Sequence, residues 1–369
     1  MVSTELINAV LQQAIRVATH SWEYGTVAEA LLEWNDPQLS IWNNPFPHGK
    51  VPTLNVANVS ALTYIKPHIR TDNITLVDGD GAAGDPAAEG IPALLIGKTD
   101  TAYWDAAIRQ EDHLVHDVPR WSNGAISHRE RVAELWADFV YMVPPFLAYT
   151  GVATSNLTLL KEAANQAKLY RDVLVQPSGA WMHITGPEVQ DFDIWSTGNG
   201  WAAAGMARVL ATLKKSPYAG KTRAEQTLLA GLIKEILDAV IKLDTDESGL
   251  LRNYLNQTSW FGEISGTSVL AATALRVAVL EPETFGKEYA DWAIRKKDVV
   301  DGHINAEEGD DKGIVAPAIN PLDWHDTTPY TTGSPEGQSF VVLLHAAYRD
   351  WQKKHGEKRG DRCLVDSQC

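Results

Sequence analysis

The sequence predicts an all-α protein, an (α/α)6 barrel in which six helical hairpins close into a toroid. Three observations lead there. First, apolar residues recur at helical spacing in "LINAVLQQAIRVA", "NLTLLKEAANQAKLYRDVLV", "AEQTLLAGLIKEILDAVIKL" and "TSVLAATALRVAVL". Second, the β-branched alternation of strands is sparse. Third, four short segments resemble one another: "NGAISH", "SGAWMH", "SGLLRN" and "DGHINA". They recur about every 55–70 residues, the length of two helices with their loops. After each comes a turn rich in small residues and then an apolar helix.

Length alone would suggest two domains for 369 residues. The even repeat instead favours one barrel over residues 1–355, followed by a C-terminal tail over 356–369. The chain opens on an amphipathic helix with no basic start and no long apolar block, unlike a signal peptide. The loops "NNPFPHGKVPT" and "INAEEGDDKGIVAPAINPLDWHDTTPYTTGSPEG" are long and rich in Gly and Pro. Long ordered loops commonly carry function.

Each repeat contributes one helix start to a common mouth. These starts are "WADFVYMVPPFLAYTG", "STGNGWAAAGMARVL", "FGEISGTSVLAATALRVA" and "SPEGQSFVVLLHAAYRDW". Side chains just ahead of or at these starts should converge: Asp85, His128, Asp138, His183, Trp195, Asn199, Trp201, Glu263 and Glu336.

Charge and composition narrow the function. The formal net charge of −15 leaves no basic surplus to neutralise phosphates, so no nucleic acid is expected. No apolar run of about 18 residues marks a membrane span. Cys363 and Cys369 stand alone in the tail, bridged or free, and no Cys/His cluster provides for a metal or a cofactor. The motifs G-x-S-x-G, HExxH and the P-loop are absent. Four N-x-[S/T] sequons, at Asn58, Asn73, Asn156 and Asn256, favour a secreted chain over a cytoplasmic one.

What remains is acidic and aromatic. Asp138 sits among Trp136, Phe139, Met142 and Phe146. Such neighbours should raise its pKa and suit it to general acid work near neutral pH. The plainer reading is a carboxylate favoured by a helix dipole. Asp85, before Pro86 after the Gly-rich "DGDGAAGDPAAEG", reads equally as an N-cap or as a second acid. His128 and His183 end equivalent repeat segments and could donate to a ligand. In "IWSTGNGWAAAGMARVL", Trp195 and Trp201 offer faces for a sugar ring. Gly198 and Gly200 would permit positive φ, and Asn199 would supply an amide. The alternative there is capping and core packing. Thirteen tryptophans, with paired carboxylates and no metal ligands, favour carbohydrate.

With these residues in view, the stretches "WADFVYMVPPFLAYTG", "GAWMH" and "WSTGNGWAAAGMARVL" resemble the unsaturated uronyl hydrolases of glycoside hydrolase family 105, relatives of family 88. The resemblance runs from about residue 20 to 351. It implies an (α/α)6 barrel acting on oligosaccharides left by polysaccharide lyases, which carry a 4,5-unsaturated uronic acid at the non-reducing end. It implies Asp138 as general acid and then base in vinyl-ether hydration, and Asp85 as the second active-site aspartate. His128, His183, Trp195, Thr197, Asn199, Trp201 and Trp42 fall in the substrate-binding set. Rhamnogalacturonan-type members carry Arg in a WxRGNGW motif where this chain has Thr197, so another cation or another acceptor sugar is expected. The competing activities are a β-glucuronidase, a polysaccharide lyase on the same toroid, or an inactive carbohydrate-binding barrel. A monomer or weak dimer is expected.

Overall fold

The structure, a computed structural model, describes residues 2–365. The described residues form helices α1 to α12 and two very short two-stranded sheets. Six segments make an inner ring. They are α2 (Ser21–Asn35), the 3-10 turn Asp85–Glu89 leading into α4 (Gly90–Gly97), α6 (Phe139–Ala153), α8 (Ser196–Lys215), α10 (Ile264–Leu280) and α12 (Pro335–Val365). Each packs on the next, and α12 returns to α2, so the ring is closed.

Outside lie α3 (Ser60–Ile65), α5 (Thr101–His116), α7 (Leu157–Leu174), α9 (Arg223–Leu243) and α11 (Lys287–Asp301). Each backs the inner segment that precedes it. The sixth outer helix is α1 (Thr4–Val17), which lies against α12 and α2. The two ends of the chain therefore form the last hairpin. The helix α12 carries its backbone as far as Val365, into the stretch assigned to a tail, while Cys369 lies outside the described residues.

Sequence explains which helices go inside. In α9 the buried positions Leu229, Leu232, Ile233, Ile236 and Val240 form one stripe, as in a helix with one wet face. In α6 every residue from Phe139 to Val152 is buried, and α8 and α10 are buried on nearly all sides. Small residues let these inner helices approach. A Cβ added at Gly205 would stand 2.1 Å from the Val140 carbonyl oxygen and 2.6 Å from the Tyr141 Cα.

The repeat segments are tight returns between an outer helix and the next inner one. Gly124, Gly179 and Gly249 adopt φ of +96°, +94° and +79°, a region that a side chain resists. The fourth segment departs: Gly302 has φ −70° and caps α11.

The inner helices all begin at one end of the ring, which is the mouth. At the far end the interior is polar. Arg208 reaches Glu33 at 3.0 Å and Glu29 at 2.7 Å, while Arg276 meets Glu33 at 2.7 Å and Asp350 at 2.5 Å. Trp42 belongs here, donating its indole N–H to Glu33 at 2.6 Å with Arg276 over its ring. Its place in the substrate-binding set is corrected accordingly: it is held by Glu33, near the end of α2 that lies away from the mouth. Replacing Gly205 by Ala should force α6 and α8 apart. Overpacking of this kind costs about 1–3 kcal/mol, to be read from chemical denaturation of the variant and the wild type.

Candidate active site

Two segments remote in sequence make the heart of the mouth. Strand β1 (Leu135–Trp136) pairs antiparallel with β2 (Ile184–Thr185), setting Trp136 opposite Ile184. The backbone bond from Ala137 N–H to the His183 carbonyl, 2.9 Å, continues the pairing. Asp138, on the next residue, thus stands beside His183. It stands at the N-terminus of α6, where the helix dipole favours a carboxylate, but its side chain makes no capping bond. Instead His183 Nε2 lies 3.2 Å from Asp138 Oδ2.

The other imidazole nitrogen is also held. His183 Nδ1 lies 3.0 Å from Asp191 Oδ2. The same Asp191 oxygen accepts the Tyr254 hydroxyl and, at 3.1 Å, the Trp324 indole N–H. A buried imidazole between two carboxylates gains its second proton readily. Burial opposes the charge, but Asp138 and Asp191 outweigh it and raise the His183 pKa.

The Asp138 carboxyl responds in the opposite sense to the one expected. Burial pushes it up, but the neighbouring His183, by charge and hydrogen bond, carries it below the ordinary aspartate value. The aromatic wall is also differently built. Phe139 stacks on Tyr170 at 4.6 Å, on the outer side of α6. Around the acids stand Trp136 and Trp324, edge to face at 5.7 Å.

Asp85 holds the proton that Asp138 lacks. It opens the 3-10 turn ahead of α4, buried, with Oδ1 3.7 Å from His128 Nε2. Burial first, and then the charge of Asp138, push its carboxyl up to about 8. His128, stacked on Trp136 at 5.0 Å, is driven by burial down to about 3 and is neutral. Two carboxyls of the same chemistry therefore sit in one mouth with opposite charge states. Such a split marks catalytic sites more often than structural ones.

The remaining candidates line or support this cavity. Trp195 is buried, its N–H donated to Asn253 at 2.7 Å and its ring 4.4 Å from that of His183. It backs the histidine. Asn199 is a correction: its amide is used entirely inside the protein, accepting from Trp181 N–H at 2.8 Å and donating to the Trp181 and Trp195 carbonyls, both at 2.9 Å. Gly198 and Gly200 are also corrected, since both lie within α8 without positive φ. They are needed for close packing. A Cβ at Gly200 would meet Val269 at 2.1 Å. Trp201 is fully buried between Tyr141 and Phe340, and Thr197 is equally buried.

Glu263 caps α10, accepting from the Ser265 and Gly266 N–H groups at 2.6 Å each. Burial brings it to about 7. Glu336 receives the Trp22 indole N–H at 2.8 Å and is held well above the carboxylate range, by burial and by Asp138.

Family comparison follows this geometry. The model for Glycosyl Hydrolase Family 88 matches residues 91–350, which include Asp138, His183, Asp191 and Trp324. The chain belongs to glycosyl hydrolase family 88. Asp85 lies just ahead of the matched stretch. The unsaturated rhamnogalacturonyl hydrolase YesR of Bacillus subtilis is 25% identical over 186 residues, 48% of this family 88 chain and 52% of YesR. The alignment thus spans about half the length of that curated relative. A possible GH105 member from Salmonella enterica serovar Paratyphi A shares the fold, with TM-score 0.71 at 17% identity over 95% of this chain and 96% of its own. The unsaturated glucuronyl hydrolase of Bacillus sp. GL1 superposes with TM-score 0.63 at 16% identity, over 93% and 95% of the two chains.

Sequence reasoning missed Asp191, Trp324, Tyr254 and Arg129. The signals available were the carboxylate closing "HITGPEVQD" and the tryptophan within the long loop already marked as functional. Arg129, directly after His128, lies with its guanidinium 5.9 Å from the Trp136 ring centre.

The Asp85 carboxyl also governs stability. It is protonated in the folded protein up to about pH 8, whereas the unfolded chain ionises it near pH 4. The unfolded state therefore holds fewer protons across that window, and stability falls as pH rises through it. Asp85→Asn should flatten this slope between pH 4 and 8, measured by denaturant titrations at several pH values. An unchanged slope would place the proton elsewhere.

Proposed function

We propose that this family 88 protein removes a 4,5-unsaturated uronic acid from the non-reducing end of lyase-generated oligosaccharides by hydrating the vinyl ether. The carrying observation is the pair of mouth carboxyls in opposite protonation states, one coupled to a doubly held imidazole. The names of the relatives support the same substrate class.

The chemistry needs a proton at C4 and then a water at C5. Asp138 is the group placed to deliver the first. It draws the proton from the His183 imidazolium at 3.2 Å and passes it to C4. Positive charge then develops on C5 and the ring oxygen, beside the restored Asp138 carboxylate. That carboxylate takes a proton from the attacking water and returns it to His183. The resulting hemiketal opens and the sugar bond breaks. Asp85, neutral, donates a hydrogen bond to the substrate without adding charge near an anionic sugar. The Trp136 and Trp324 faces suit the ring.

Thr197 cannot serve the uronate carboxylate, being buried with its hydroxyl unpartnered. Arg129 supports that role instead. Its side-chain hydrogen bond, to the Asp80 carbonyl, is a long one at 3.4 Å, leaving donors for an anionic ligand. The four sequon asparagines are all exposed, which agrees with a secreted chain.

The assay follows the ultraviolet absorbance of the double bond conjugated with the carboxylate. With lyase-made oligosaccharides it should fall. A rise on intact polymer would mean a lyase, and no change would mean a binding barrel. Asp138→Asn should lower kcat by roughly 10³-fold or more with the fold intact. Arg129→Ala should act mainly on KM, raising it about tenfold or more through the lost charged hydrogen bonds.

A further inference from the structure

We propose that Asp191 is a positioning residue of this site, holding the His183 imidazole in the one orientation that presents Nε2–H to Asp138. The inference rests on the reaction proposed above. It starts from an unusual concentration of donors. Asp191 Oδ2 accepts from His183 Nδ1 at 3.0 Å, from Trp324 Nε1 at 3.1 Å and from the Tyr254 hydroxyl, and His325 Nε2 stands 4.0 Å away. The other oxygen accepts the Asp193 backbone N–H at 3.2 Å. Against the pull of burial, the donors on its two oxygens, His183 and Tyr254 foremost, hold this carboxyl below the ordinary aspartate value.

The backbone fixes where that anion stands. Ile184 and Asp191 exchange N–H to carbonyl bonds at 2.9 and 3.0 Å, closing a short hairpin just after His183. The group is buried, as is His183, so water cannot substitute for either partner.

The consequence for His183 is specific. A histidine ring nitrogen that donates to a fixed carboxylate settles both the tautomer and the ring plane of the other nitrogen. The charged and titratable groups around this imidazole are Asp138, Asp191 and His128. Around Asp191 they are His183, Tyr254, His325 and Asp193. Asp191 stands at Nδ1, on the side of the ring away from the nitrogen that faces Asp138.

A purely structural anchor for Trp324 and Tyr254 is the competing role, and two variants separate the roles. Asp191→Asn keeps the shape and an acceptor for those two donors but deletes the charge. Its kcat should drop about 10²-fold, with KM within about threefold of wild type, in the manner of an orienting carboxylate behind a catalytic histidine. The alkaline limb of its pH–rate profile should move to lower pH, and the His183 titration followed by NMR should move with it. Asp191→Glu should recover part of kcat. Should Asp191→Asn not fold, Tyr254→Phe removes one donor without touching the mouth and should lower kcat severalfold at constant KM. Wild-type kcat and an unmoved His183 titration in Asp191→Asn would overturn the proposal, as would a Tyr254→Phe change confined to KM. If the wild type itself turns over no unsaturated uronate, the activity reading fails, while the His183 titration still judges Asp191 independently.

Discussion

The site depends on one imidazole held between two carboxylates. His183, buried against Trp195 and Trp324, holds a second proton more firmly than a free imidazole because Asp138 and Asp191 stand at its two nitrogens. From that single arrangement the rest of the electrostatics follows. The imidazolium keeps Asp138 ionised despite burial, and the ionised Asp138 in turn helps keep Asp85 and Glu336 protonated. Charge is thus separated within a few ångströms, in a chain of −15 formal charge.

The opposite end of the barrel uses ion pairs for a different purpose. Glu33 on α2 is bound by Arg208 from α8 and Arg276 from α10, and Arg276 also reaches Asp350 on α12. The bonds to Glu33 join inner helices that are not adjacent in the ring, while that from Arg276 to Asp350 joins the neighbours α10 and α12. Removing one partner from such a buried pair costs about 3–5 kcal/mol, because the other charge is stranded. The closed end is therefore where the ring is tied. The mouth is free to keep carboxyls whose pKa values are shifted in opposite senses. Trp42 belongs to the first of these regions, as a flat surface for Arg276.

Much of this was legible in the residues. Helical periodicity and the recurring glycine turns announced a ring of hairpins, because both signals are local: a buried stripe and a positive φ leave their mark on neighbouring residues. Asp138, Asp85, His128 and His183 were also legible, since each lies beside a helix start or at the end of a repeat. Asn199, Gly198 and Gly200 misled for an instructive reason. Their residue types suit a ligand-binding turn, yet α8 starts three residues earlier than such a turn would allow, and the amide and the missing side chains are used for packing.

Residue type and spacing were enough for the architecture and for which carboxyls face the mouth, because those follow from short-range periodicity. They were not enough for the charge on those carboxyls. Asp138 was read as raised by its aromatic neighbours, whereas a histidine 45 residues away reverses the shift. Asp191, Tyr254 and Trp324 lie across 133 residues of chain, yet they meet at one oxygen. A pKa is a sum over neighbours in space, and only the closed ring brings those neighbours together.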